Sequence, residues 1–144
     1  MKIYMAGPLF TDAERQWNLA LRDRLQVELP EHKFLLPQDF CAGCANTVAT
    51  HNKCIKNILD SNLLLVNCDG VDVESGTAFE AGYAHALKIP LIAYRTDFRR
   101  AGDSDQDMNL MISKSACLVI PARSTREIVA SVNDYIRKLR HDGS

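Results

Sequence analysis

Several protein classes are excluded by what this chain lacks. No apolar segment approaches the roughly 20 residues needed to cross a bilayer, so no membrane partner is expected. The N-terminus has no basic region followed by a long apolar stretch; Lys2-Ile3-Tyr4-Met5-Ala6 reads as a strand, not as a signal peptide. Charge of one sign is also missing. The formal net charge is -1, too small to attract a polyanion, so nucleic acid is not an expected partner. Five cysteines are an odd number at irregular spacing, which fits a reducing, cytoplasmic setting better than a disulfide scaffold. No Gly-x-Gly-x-x-Gly follows the first strand and no phosphate loop ends in Gly-Lys-Ser/Thr. A phospho-receiver domain would need acids after its first strand and a lysine after its fifth; Ala6-Gly7-Pro8 and Pro121-Ala122 stand there instead. Internal repeats and low-complexity segments are absent, and 144 residues suit a single domain spanning 1–144.

What is present alternates between two periods. Residues 2–6 form an apolar strand that Gly7-Pro8 ends. Thr11 and Glu14 make a capping box, and Trp17, Leu21, Leu25 and Leu29 follow at helical spacing up to Pro30. Lys33–Leu36 is a second strand, residues 38–46 read as irregular, and Thr47 to Asp60 as helix. Leu63-Leu64-Leu65-Val66 is a continuous apolar run, as in a parallel strand covered on both faces. A helix from Ser75 to Lys88, a strand over Pro90–Tyr94, a polar stretch from Thr96 to Asp107 and a short helix over Met108–Lys114 come next. Cys117–Ile120 is a fifth strand. Ser124 and Glu127 suggest another capping box, opening a terminal helix with Ile128, Val132, Tyr135, Ile136 and Leu139 inward. The expected fold is α/β: a doubly wound, flavodoxin-like, five-stranded parallel sheet with helices on both faces. Ligands of such sheets bind beyond the C-terminal strand ends near the switch point. That rule selects the loops Ala6–Asp12, Asn67–Ser75 and Arg95–Asn109.

Those loops hold an acidic cluster, Asp69, Asp72, Glu74 and Glu80, with Tyr4 near the end of the first strand. Glu74 and Glu80 are six residues apart across a loop-to-helix junction, so both can face one pocket. The helix bearing Glu80 is rich in small residues. Gly82 within it costs about 1 kcal/mol relative to alanine, which points to close packing against the sheet or another chain.

Three blocks carry a resemblance: Ile3 to Thr11 (IYMAGPLFT), Glu74 to Ala84 (ESGTAFEAGYA), and Asn109-Leu110-Met111. In order and approximate spacing they resemble the nucleoside 2-deoxyribosyltransferase family, the helix block most specifically. The resemblance implies that Glu80 is a nucleophile attacking the anomeric carbon to form a covalent deoxyribosyl-enzyme, oriented by the Tyr4 hydroxyl. It implies that Glu74 holds the sugar's 5′-hydroxyl, where the family usually has aspartate. It further implies that Asn109 is lent to the same sugar end by a neighbouring subunit, making the active sites shared in a homo-oligomer. Gly7, Phe10, Asp72, Cys54 and Met111 complete the expected substrate-binding set. The implied partners are deoxynucleosides and free nucleobases, and no cofactor or metal is required.

The chemistry agrees with those roles. Departure of the base leaves oxocarbenium-like charge on the sugar, which a close carboxylate stabilises and can capture. Two displacements at one carbon give net retention. One position departs from the family: Cys54, 26 residues before Glu80, stands where an aspartate usually contacts the base. A thiol is a weak donor, so Asn52 or Asp60 would have to compensate, or base specificity would differ. Cys41, Cys44, His51 and Cys54 could by count form a zinc site, or a redox pair, although such a pair normally sits at a helix start directly after a strand; against both stands the reading as ordinary cysteines. Two rival functions stay open. One is hydrolysis of the same bond in deoxynucleosides or their 5′-phosphates; the other is a non-catalytic nucleoside-binding domain. Products separate the first from transfer, and binding without base release would mark the second.

Overall fold

The computed structural model describes residues 1–100 and 108–142, so part of the polar stretch expected up to Asp107, and of the loop Arg95–Asn109, lies outside the described residues. Five strands are present among them: β1 (Lys2–Ala6), β2 (Lys33–Leu35), β3 (Leu63–Asn67), β4 (Leu91–Arg95) and β5 (Leu118–Pro121). All pair in parallel, in the order β2-β1-β3-β4-β5. This is the expected doubly wound sheet, whose order reverses beside β1, between β1 and β3. The helices are α1 (Asp12–Glu28), α2 (Pro37–Phe40), α3 (Thr47–Leu59), α4 (Ser75–Ala86), α5 (Leu110–Ser115) and α6 (Thr125–Asp142). None of the described helices is long and apolar enough to cross a membrane.

Strand alternation divides the core into two layers. Ile3, Met5, Leu63, Leu65, Ile92 and Tyr94 face α1 and α6, meeting Leu21, Leu25, Ile128, Val132 and Ile136. Tyr4, Ala6, Leu64, Val66, Leu91 and Ala93 face the other way, meeting Ile58, Ala81, Ala84 and Ile112 from α3, α4 and α5. Leu21, Leu25 and Ile128 are wholly buried, each contributing about 2 kcal/mol relative to exposure. The first capping box forms as expected: Thr11 accepts from the Glu14 amide at 3.2 Å while Glu14 accepts from Thr11 at 2.7 Å.

Four local expectations need correction. Residues 37–40 form a single helical turn, because Pro37 presets the first helical position and needs no amide partner there. The short helix begins at Leu110 rather than Met108, since Asn109 is its cap and Met108 is a buried core residue. Ser124 accepts from the Glu127 amide at 3.4 Å, but Glu127 reaches back one residue further, to the Arg123 amide at 2.9 Å. Leu139 is exposed, because α6 runs past the end of the layer it covers.

Candidate active site

The site begins with β1. Its alternation sends Tyr4 to the α4 side, where the ring is fully buried and tilted against Phe40 at 5.9 Å between centroids. In the second turn of α4, Glu80 comes down over it, and the Tyr4 hydroxyl donates to Glu80 Oε1 at 2.6 Å. Burial is the main cause of an upward shift of the Glu80 carboxyl, to about 7; the Tyr4 hydrogen bond opposes it and the Glu74 charge adds to it. Near neutral pH the carboxyl is therefore a mixture of both forms. The phenol is driven far up, first by burial and then by the Glu80 charge, so it stays a donor.

A cleft of about 530 Å³ opens above this pair, beyond the C-terminal end of β1. The loop Gly7–Phe10, α2, one face of α3 and the start of α4 form its walls. Gly7 is required by close approach: a Cβ there would lie 3.0 Å from the Cβ of Asn67 at the end of β3. Phe10 stands at the mouth, largely exposed. Cys54 and Cys41 lie in the α3–α2 wall with 3.7 Å between their sulfurs.

Glu74 shares this cleft and is also the N-cap of α4. Its Oε1 accepts from the Gly76 amide at 2.9 Å and the Ser75 hydroxyl at 3.2 Å; Oε2 accepts from the Thr77 amide at 2.8 Å and its hydroxyl at 3.0 Å. Four donors fill the roughly four acceptor positions of a carboxylate. Burial raises the Glu74 carboxyl, but those donors outweigh it and hold it below its ordinary value.

Three contributors escaped the sequence reading. Asn18, buried on α1, donates to the Pro8 carbonyl at 2.9 Å and to Gln38 Oε1 at 3.1 Å. Gln38 in turn donates to the Arg15 carbonyl at 3.2 Å, so both ends of its amide are held. Arg15 donates to the carbonyls of Leu9 (3.3 Å) and Phe10 (3.0 Å), holding the loop. One signal was available: Asn18, Leu21 and Leu25 follow helical spacing, so a polar residue stands on the apolar stripe of α1.

The structure thus brings Tyr4, Glu80, Glu74, Gly7, Phe10 and Cys54 together. It does not bring Asp72, Asn109 or Met111 to the same cleft. They line a second cavity of about 340 Å³ on the opposite side of α4, toward α5. Asp72 accepts from the adjacent Val73 amide at 2.8 Å, and Asn109 caps α5 by accepting from the Met111 amide at 3.0 Å. Asp69 is a loop staple, accepting from the Thr96 and Asp97 amides at 2.5 and 2.8 Å. Asp60 pairs with Lys56 at 2.7 Å at the end of α3, and neither it nor the exposed Asn52 lines the cleft, so neither compensates for Cys54. His51 bonds Asn52 at 3.2 Å, and no group of three or more metal-ligating side chains is arranged to hold an ion among the described residues. A Cβ on Gly82 would meet nothing within 4 Å, so this glycine is not there to approach its own sheet.

The family model described as nucleoside 2-deoxyribosyltransferase matches residues 3–111, more than half of the chain. Among solved structures, a conserved protein from Enterococcus faecalis V583 is 24% identical with a TM-score of 0.78, covering 94% of this chain and 98% of that one. A 2-deoxyribosyltransferase from Leishmania mexicana is 23% identical with a TM-score of 0.70, at 92% and 97% coverage. A CMP N-glycosidase from Clostridium botulinum is 14% identical with a TM-score of 0.65, at 94% and 99% coverage. At these identities the likeness is one of fold. No curated protein matches the sequence.

Proposed function

This chain belongs to the nucleoside 2-deoxyribosyltransferase family, and we propose that it moves 2-deoxyribose between nucleobases through a covalent intermediate on Glu80. The observation that carries this reading is the 2.6 Å hydrogen bond from Tyr4 to Glu80 Oε1 at the floor of a nucleoside-sized cleft. One carboxylate oxygen is held, and the other is free to attack. In the first displacement Glu80 Oε2 bonds to C1′ as the C1′–N bond breaks, and the bond's electron pair leaves with the base. In the second, a ring nitrogen of the incoming base attacks C1′ as the carboxylate departs, and the proton that the incoming base gives up balances the one the departed base takes up. Two inversions give net retention. Tyr4 aligns the ionised carboxylate, and its hydrogen bond favours that form over the protonated one.

Glu74 bears on the choice between free nucleosides and 5′-phosphates. A phosphate at that end would use the α4 amides, as anions do at helix N-termini. Here the Glu74 carboxylate already takes the Gly76 and Thr77 amides and would repel a dianion. Free 2′-deoxynucleosides are therefore the preferred substrates. Hydrolysis of the same bond is the second reading, favoured by a cleft broad enough to admit water to the deoxyribosyl-enzyme.

Residues 1–144 act as one domain in this reading, within a homo-oligomer whose neighbour lends Asn109 to the cleft. Support comes from the apolar face beside the second cavity. Phe79 and Tyr83 stack at 6.1 Å, Val71 and Met111 are exposed, and Gly82 leaves open space that a second chain can enter. The unpaired cysteines suit a reducing cytoplasm, where the reaction would serve nucleotide salvage.

The test is chromatographic. Deoxyinosine is incubated with and without free adenine, alongside Glu80→Ala. Deoxyadenosine formed only with intact Glu80 is the expected result. Hypoxanthine released without transfer would replace the transferase reading by the hydrolase, and no turnover across a full panel of bases would refute both.

A further inference from the structure

We infer that Cys41 and Cys54 form a reversible dithiol–disulfide pair in the wall of the Glu80 cleft, oxidised by small-molecule disulfides, whose closure excludes the nucleobase. The inference rests on the proposed function only for what the cleft admits. Three observations lead to it. The two sulfurs are 3.7 Å apart across α2 and α3, and both residues line the cleft. Both are partly exposed, so a small reagent reaches them, whereas Cys68 is wholly buried. Cys54 also reaches the Tyr4 hydroxyl that holds Glu80, so a change at its sulfur is felt at the reacting carboxylate.

Chain connectivity permits the bond. Cys41 ends the single turn of α2 as its C-cap, and Cys54 lies mid-way along α3, with twelve residues between them. A disulfide of about 2.05 Å requires the sulfurs to approach by a further 1.6 Å or so, within the reach of side-chain rotation and a small shift of one helical turn. Of the remaining thiols, Cys117 donates to the Leu91 carbonyl at 2.8 Å, outside the cleft. Cys44 also lies against Cys41 and is the competitor.

The chemistry balances with a disulfide oxidant. A Cys54 thiolate attacks one sulfur of the reagent, forming a mixed disulfide and releasing one thiol. The Cys41 sulfur, losing its proton, then attacks the Cys54 sulfur and displaces the second thiol. Two protein thiols are oxidised and one small disulfide is reduced to two thiols, which carry both protons. Burial pushes the Cys41 thiol up to about 12, which assigns it the second, intramolecular step, where proximity replaces acidity. The bridge draws α2, with Gln38, toward α3 and narrows the cleft that they line. In a reducing cytosol the pair rests open, and oxidative conditions close it.

The experiment compares fully reduced protein with protein equilibrated against oxidised glutathione, before and after dithiothreitol. Peptide mapping by mass spectrometry, equilibrium dialysis of adenine, and deoxyinosine–adenine exchange are all read. Expected are a Cys41–Cys54 linked peptide and a loss of about tenfold or more, about 1.4 kcal/mol, in adenine binding and in exchange. Both losses reverse with dithiothreitol, and Cys54→Ser, which lacks the attacking thiol, gives the same rate in both media, compared with itself. No linkage, a Cys41–Cys44 linkage, or a linked protein with undiminished binding and exchange overturns the inference. A reduced protein that neither binds adenine nor exchanges sinks the proposed function and the claim of base exclusion with it, while the mapping still decides the pair.

Discussion

The Tyr4 hydroxyl and Glu80 Oε1 meet at 2.6 Å although 76 positions separate them in the chain. A strand alternating between two cores and a helix crossing above it converge on this one contact. Its chemistry is asymmetric: the phenol always donates, and the carboxyl can hold or lose its proton near neutrality.

Tyr4→Phe keeps the buried ring against Phe40 and deletes only the donor. Loss of a hydrogen bond to an ionised group costs about 1.5–3 kcal/mol, so kcat should fall roughly 10- to 150-fold with the fold intact. Because the lost bond had lowered the Glu80 pKa, the acidic limb of the rate profile should move to higher pH. Steady-state rates across pH 5–9, with circular dichroism as the control, check both.

Glu80 also sets a pH dependence of stability. Its folded value of about 7 exceeds the ordinary 4.5, so between those values the folded state holds more protons than the unfolded one. Stability is then lost as pH rises through that window, and the loss is complete above it. Glu80→Gln removes the ionisation. It should abolish exchange yet raise Tm relative to the parent at pH 8, with the difference shrinking toward pH 4.5. A Tm gap that widens on acidification would show the sign to be wrong.

Glu74→Gln should report on both duties of that carboxylate. With one acceptor oxygen in place of two, α4 loses part of its cap, and stability should drop by about 1 kcal/mol. Removing the charge relieves its repulsion of ionised Glu80, so the acidic limb should shift to lower pH, opposite to Tyr4→Phe. Denaturant titration and the rate profile separate the two effects.

Asn18→Leu keeps the branched shape of the side chain but leaves the Pro8 carbonyl and Gln38 Oε1 without their shared donor. A cost of about 1–3 kcal/mol is expected from the unpaired acceptors. The KM for nucleoside should rise more than kcat falls, since loop and amide are positioned by this residue and the nucleophile is not.

The sheet and the Tyr4–Glu80 pair were legible for different reasons. The run Leu63–Val66 had no polar face, so it had to be central, whereas Tyr4 and Glu80 were joined by the resemblance that the blocks Ile3–Thr11 and Glu74–Ala84 carry. The partition of the acidic cluster was not legible. Asp69, Asp72 and Glu74 fall within six positions of one loop, yet that loop runs beyond the C-terminal end of β3 and distributes them to three different surroundings. Sequence proximity carries no information about which side of α4 a loop residue takes. Gln38 was missed because a single turn opened by Pro37 is too short to display a period, and its function depends on an asparagine twenty positions earlier. Asn109 and Glu74 look alike in the sequence, as polar residues before a helix. Both do cap helices, but only Glu74 also lines the cleft of its own chain.

The alternation of β1 has a consequence for folding fidelity. If that strand slipped by one position against β2 and β3, Met5 would take the place beneath Glu80 and Tyr4 would be driven into the layer between α1 and α6, its hydroxyl among aliphatic groups. Such a slipped chain could still be helical, compact and soluble. It would be silent in an exchange assay, so turnover per milligram measures the fraction of molecules that threaded their first strand correctly.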